Sequence, residues 1–313
     1  MKMKKMPNRE YAHVPHHAHN HIRQPKSDRI FYAIVYTVIT LLTISVLYPL
    51  IYVVSASFSS AAAINSGRMW LWPVDIDFIG YKYVLKYKYV WVGYRNTIFY
   101  TLTHAFLGIC MCLICAYPLA RRGLRFKGFL TFLFTFTMLF SGGIIPTYLQ
   151  LRSLGIINTR WALLLPGAVS VYNMVVTRTF IGNVPAELSE AAQIDGCSDA
   201  RYFVSILLPL SKAIIAVISL YYAVGHWNAY FNALLYLSDR TLYPLQVFLR
   251  DILVLNAVEV SSTMDPEEAR ALEGMRDLLK YSMIVVSTVP ILCVYPAIQK
   301  YFAKGVMVGS LKG

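Results

Sequence analysis

The chain runs apolar from Ile30 to about Phe58, and that stretch decides which solvent the protein folds in. A helix needs about 20 mainly apolar residues to cross the hydrocarbon layer, whereas the apolar core of a signal peptide is about 7–15 residues long. Ser55-Ala56-Ser57 and Ala61-Ala62-Ala63 have the small side chains of a cleavage site, but the run is too long for one, so it reads as an uncleaved first span. Similar runs follow at roughly 96–120, 129–151, 161–181, 212–237 and 281–302. Only 14% of the residues are charged, against about a quarter in soluble domains. The expected fold is an all-α integral membrane protein with six transmembrane helices.

Lys and Arg in short flanking loops set the orientation. Arg121, Arg122, Arg125 and Lys127 lie between spans two and three with no acid among them. With the basic residues of the N-terminal tail and Lys300, Lys304 and Lys312, they place both termini in the cytoplasm. The segment 59–95 opposes this, since it carries Arg68, Lys82, Lys86, Lys88 and Arg95 yet falls outside. The net charge of +13 is accounted for by topology and not by nucleic acid, because no basic stripe interleaves with exposed aromatics. Residues 1–29 read as a disordered basic cytoplasmic tail. His13, His16, His17, His19 and His21 there could bind a transition metal, but no scaffold holds them, and no metal site is assigned. The cysteines are Cys110, Cys112, Cys115, Cys197 and Cys293, spaced for neither a disulfide framework nor zinc; Cys112 and Cys115 read as lipid-facing or packing surface in mid-membrane, not as a redox pair.

The segment from Gly182 to Ser211 holds Glu187, Glu190, Asp195, Asp199 and Arg201. Each charge at a helix centre costs about 2.5–3.5 kcal/mol on insertion scales, so the segment is a cytoplasmic loop between spans four and five. Its pattern is helical. Pro185 suits a first turn, and Leu188, Ala191, Ala192 and Asp195 recur at the spacing of one helix face. Gly196 supplies a stop and Ser198 an N-cap for a second helix running towards Pro209.

The spans contain no Asp or Glu, the groups on which ion-driven transporters usually rely. The chain also lacks the G-x-x-x-x-G-K-[ST] cradle for nucleotide phosphates, and no paired carboxylates or metal cluster suggest catalysis. It is not expected to be an enzyme, and no residue is assigned as catalytic. If it transports, a partner supplies the energy.

Glu190-Ala191-Ala192, then Gly196, then Ile206-Leu207-Leu208-Pro209 resembles the EAA loop of ABC importer permeases, with every fixed position filled. Cys197 stands where Ala is commoner. The resemblance implies that Glu190, Ala191, Ala192, Asp195, Gly196, Ile206, Leu208 and Pro209 form a coupling knob seated in a separate ATPase subunit. The physical logic agrees: small Ala side chains let another surface approach, and Gly196 permits a sharp turn. The end of the chain, with Gln299-Lys300-Tyr301-Phe302, Gly305 and Gly309-Ser310-Leu311-Lys312-Gly313, is similar to the tail of sugar-importer permeases of the maltose MalG type. Gly225-His226-Trp227-Asn228 fits that group too. Tyr48-Pro49-Leu50, Asn96-Thr97, Ser141-Gly142-Gly143 and Asn158-Thr159 resemble its LplC/YtcP-like subgroup.

These resemblances imply a six-span permease domain over 30–305, with a coupling loop at 182–211 and an external loop at 239–279. They imply a cytoplasmic tail at 306–313 that reaches the ATPases through Gly309, Ser310, Lys312 and Gly313. The implied partners are a second permease, two ATPase subunits that bind the ATP, an extracellular sugar-binding protein and membrane lipid. No cofactor is held by this chain. Within span five, Trp227 and Tyr230 are candidates to stack a sugar and Asn228 and Asn232 to bond its hydroxyls, with helix packing as the competing role. Asp265, Glu267 and Glu268 in the acidic external loop are candidates to dock the binding protein. Import of a non-sugar solute, and a self-sufficient secondary transporter, remain as other readings.

Overall fold

The structure, a computed structural model, describes residues 25–121, 123–254, 276–294 and 296. The histidines of the N-terminal tail, the acids at 265–268 and the tail at 306–313 lie outside these. Among the described residues every regular element is helical, apart from an isolated antiparallel bridge between Ser59 and Ile76. The chain divides into two units, Met1–Leu50 and Ile51–Gly313. The first holds most of helix α1 (Lys26–Ser57), whose most apolar window is wholly unburied. An apolar helix exposed all round is matched to lipid or to another membrane helix.

The second unit is built around one long helix. After α2 (Ile79–Lys86), α3 (Lys88–Ala120) runs unbroken. Then come α4 (Lys127–Leu139), α5 (Ile144–Ser153), α6 (Val171–Gly182) and α7 (Ala186–Ile194). They are followed by α8 (Asp199–Leu210), α9 (Lys212–Trp227), α10 (Phe231–Tyr236), α11 (Leu245–Val254) and α12 (Arg276–Val294). α3 packs most extensively against α9 and α6. Cys112, Ala116 and Leu119 of α3 meet Met174, Ile181, Ile214 and Ile218 in the main apolar cluster. Close approach is set by Gly108, where a Cβ would sit 2.6 Å from the Tyr222 ring. Small residues at such contacts are how membrane helices gain packing without a hydrophobic drive between them. Cys112 is buried in this contact, and all five cysteines are free thiols.

The six apolar runs are not six straight helices. Among the described residues three helices, α1, α3 and α12, are long and apolar enough to cross a membrane, and two bent pairs bring the number to at most five. The expected third span, 129–151, turns by 110° between α4 and α5. Ser141-Gly142-Gly143 forms the break, and Gly143 takes φ +86°. The expected fourth span begins as the single turn Trp161–Leu164, is interrupted at Pro166-Gly167, and resumes as α6. The expected fifth ends at Trp227, and α10 follows as a separate short helix. In the third and fourth runs the breaks fall at Gly and Pro, punctuation that hydropathy does not register; the fifth breaks at Asn228–Tyr230, which contains neither.

The expected external loop also starts differently. Leu245, Val247 and Phe248 of α11 are fully buried against α3, so residues 244–248 pack into the core, while 239–241 are exposed. Buried Asn96 donates from Nδ2 to the carbonyls of Thr241 at 2.7 Å and Tyr243 at 3.0 Å. Thr97 Oγ1 accepts from the Leu245 amide at 2.8 Å. Asn158, at φ +59°, accepts from the amides of Ser238 at 2.8 Å and Asp239 at 3.0 Å. The backbone of an irregular segment thus finds its partners in side chains, as buried polar groups require.

Candidate coupling surface and polar cavity

The charged segment after α6 folds as two short helices joined at a tight turn. α7 starts just after Pro185, whose missing N–H is one of those left unbonded at a helix start. It ends in a paired cap: the Gly196 amide donates to the Gln193 carbonyl at 3.0 Å and the Cys197 amide to Ala192 at 2.8 Å. That geometry needs a left-handed residue after the cap, and Gly196 takes φ +73°. Ser198 then caps α8 by accepting from the Arg201 amide at 3.3 Å. Within α8, Phe203–Leu207 widens into a π turn just before Pro209. The wider turn accommodates a ring that would otherwise clash with the preceding turn.

The faces of α7 sort differently from the sequence pattern. Ala192 is buried, whereas Leu188, Ala191 and Asp195 are exposed together with Glu190 and Gln193. Ile194 is 87% exposed. Ala192 and Tyr202 join the core cluster and hold the two helices to α3 and α6. Leu208 and Ile206 are half-buried, and Pro209 is exposed. What remains outward is a small apolar and acidic surface around the turn. Behind it lies a cleft of about 630 Å³ bordered by Arg121, Ser189, Glu190 and Asp199.

A second feature lies deeper, where α3, α6 and α9 converge. A cavity of about 280 Å³ is lined by His104, Ser170, Asn173, Tyr221, His226 and Asn232, among others, with no carboxylate or permanent cation. The His104 and His226 rings stack at 4.4 Å, tilted by 22°. His104 Nδ1 lies 3.0 Å from the Leu164 carbonyl; since a carbonyl only accepts, Nδ1 carries the hydrogen and a neutral His104 keeps Nε2 as an acceptor. The Tyr222 hydroxyl donates to the Ala168 carbonyl and accepts from the Ser170 amide, both at 3.1 Å. Such a lining offers neutral donors and acceptors together with aromatic faces, the chemistry that suits hydroxyl-rich molecules.

Of the four span-five candidates, Asn232 lines this cavity. Trp227 does not: it is buried, and its Nε1 donates to the Ser287 carbonyl of α12 at 3.1 Å. Asn228 donates to Val224 of its own helix at 3.0 Å, and Tyr230 is exposed. Trp227→Ala is therefore expected to act on stability, by about 3–5 kcal/mol for an aromatic deleted from a packed site. Thermal unfolding in detergent should register that loss, while transport per folded molecule stays near wild type. His104 was not singled out from the sequence and His226 only as part of a short motif. Nothing in their local patterns marks them, because they lie on different helices.

The chain matches, over residues 22–308, the sequence pattern of the family described as "Binding-protein-dependent transport system inner membrane component". It is 39% identical, over 91% of its length and 99% of the other protein's, to the polygalacturonan/rhamnogalacturonan transport system permease protein YtcP of Bacillus subtilis. It is also 39% identical to protein LplC of the same organism, over 85% of this chain and 89% of that one. A solved structure of a bacterial ABC transporter involved in the import of the acidic polysaccharide alginate superimposes with a TM-score of 0.79 at 35% identity. That match covers 89% of this chain and 99% of the matched one. A family match that spans residues 22–308, with two relatives 39% identical over most of their lengths, places the protein: the chain belongs to the family of binding-protein-dependent transport system inner membrane components.

Proposed function

We propose that the chain is one of two permease subunits of an ABC importer that takes up an oligosaccharide, with ATP bound and hydrolysed by separate ATPase subunits. The observation that carries this reading is the exposed surface around Gly196, a turn that buries only its inner residues and leaves Leu188, Glu190, Ala191 and Ile194 for a partner. Six membrane crossings with both termini in the cytoplasm place that surface on the ATPase side. α4 with α5 serves as one crossing, Trp161–Leu164 with α6 as another and α9 as a third, alongside α1, α3 and α12; discontinuous helices of this kind occur around transport sites. The contacts assigned to Gly309, Ser310, Lys312 and Gly313 with the ATPases, and to Asp265, Glu267 and Glu268 with the external binding protein, belong to the same reading. The cavity beneath α3, α6 and α9 belongs to the translocation pathway, where His104, Asn173 and Asn232 meet sugar hydroxyls.

YtcP is named for polygalacturonan and rhamnogalacturonan transport, and the solved importer takes up the acidic polysaccharide alginate, so acidic oligosaccharides are the substrate class to test first. Proteoliposomes holding the complete importer, with binding protein outside and ATP inside, should accumulate labelled oligogalacturonide. Omitting ATP or the ATPases should stop uptake. Flux from this chain alone, without ATP, would establish a secondary transporter instead.

A further inference from the structure

The two covalent ends of the coupling segment are both poor levers. Towards α6 it leaves through Asn183–Pro185, outside any helix, and towards α9 the chain bends by 79° at Ser211. Neither join would carry a push on α7 stiffly into the membrane. A non-covalent link does reach an unbroken helix. Arg121 is the first residue beyond α3. Its Nη1 donates to Ser189 Oγ of α7 at 2.8 Å, and its Nη2 pairs with the Asp199 carboxylate at the start of α8. The centre of the guanidinium lies 5.2 Å from the Tyr117 ring of α3 and 5.8 Å from the Tyr202 ring of α8. The corner is tightened by Lys127, which donates to the Arg121 carbonyl at 3.1 Å.

One cation therefore joins three helices, held by two acceptors and two aromatic faces. An isolated ion pair this exposed would contribute little, but a planar fork bonded on two sides and lying against rings is fixed in orientation. From Arg121, α3 runs back without a break to His104 at the cavity, about 25 Å at 1.5 Å per residue. We propose that Arg121 is the positioning residue that makes α7, α8 and the end of α3 move as one body, so that displacement of the coupling surface by the ATPase reaches the cavity. This rests on the assignment of 182–211 as the coupling loop.

The test uses the complete importer purified with its ATPases. Spin labels replacing Ile114 on α3 and Glu187 on α7, outside the residues assigned to the ATPase, report the separation of the two helices with and without ATP. With Arg121 present, the distance distribution should stay narrow and unchanged on ATP binding. In Arg121→Ala it should broaden, and stimulation of ATP hydrolysis by the binding protein should fall about tenfold, in the range of ordinary coupling free energies. Arg121→Lys keeps the charge but not the fork, and should give only partial rescue. A merely structural role would lower the yield of complex and leave the stimulation per complex intact. The proposal is overturned if the two labels already separate on ATP binding in the otherwise unmutated protein, a measurement that does not depend on any Arg121 variant folding. It is equally overturned if Arg121→Ala retains full stimulation. Failure of the underlying assignment looks different: a cysteine at Ile194 would then not cross-link to the ATPase in either background.

Discussion

Replacing Gly196 by valine is expected to reduce ATP-driven uptake to less than about a tenth of wild type, with the protein still inserted in the membrane. Space is not the obstacle, because a Cβ there would meet nothing within 4 Å. The obstacle is the backbone. At φ +73° an ordinary residue is strained by roughly 1–2 kcal/mol, and a β-branched one by more. The chain can relieve that strain only by giving up the bonds from Gly196 to Gln193 and from Cys197 to Ala192 that close α7. The turn would open, and Ile194 and Glu190 would lose their fixed relation to α8. Asn tolerates the left-handed region, so Gly196→Asn should retain most of the activity. Equal activity in the Asn and Val variants would show that the turn's shape is not what matters.

The second large effect lies on the other side of the fold. A Cβ on Gly93 would come within 2.9 Å of the Leu245 Cα, 3.1 Å of its amide nitrogen and 3.0 Å of the Phe248 ring. Two of these are backbone atoms, and the Leu245 amide is itself pinned by Thr97 at 2.8 Å. Retreat of α11 would break that bond and strain those from Asn96. Overpacking costs about 1–3 kcal/mol when neighbours can shift a little, and here they cannot shift without losing hydrogen bonds. Gly93→Leu should therefore cut the yield of folded protein severely, and Gly93→Ala should lower the thermal midpoint measurably. Gly128 on α4, where nothing lies within 4 Å of a Cβ, is the control: Gly128→Ala should be nearly silent.

How much of this could be read from the chain depended on whether the signal was local. The charge density of 182–211, the glycine stop and the Ser198 cap are local, and each appears where the residues place it. The faces of α7 were harder. Leu188, Ala191, Ala192 and Asp195 share a helical spacing, but only contact with Tyr202 and α3 decides that Ala192 alone turns inward. Arg121 reads in sequence as one of a basic cluster that fixes topology; its bonds to Ser189 and Asp199 exist only once α7 and α8 fold back against α3. The stacked pair His104 and His226 is invisible for the same reason. Asn96-Thr97 and Asn158-Thr159 carried a resemblance without a reason. The structure supplies one, since Asn96, Thr97 and Asn158 bind the backbone between Ser238 and Leu245. The bend at Gly143 is hidden inside an apolar run, and the bend at Ser211 lies where the charged segment joins the next one.

On the proposed function, the turn around Gly196 is the surface through which this permease meets its ATPase. Ile194, 87% exposed on that surface, is the position at which to test it. In a background with the five native cysteines replaced, a single cysteine at Ile194 should cross-link to the ATPase subunit in membranes of the complete importer. It should react with an impermeant thiol reagent only from the cytoplasmic side. Labelling from outside intact cells, with no cross-link to the ATPase, would contradict both the orientation and the coupling role.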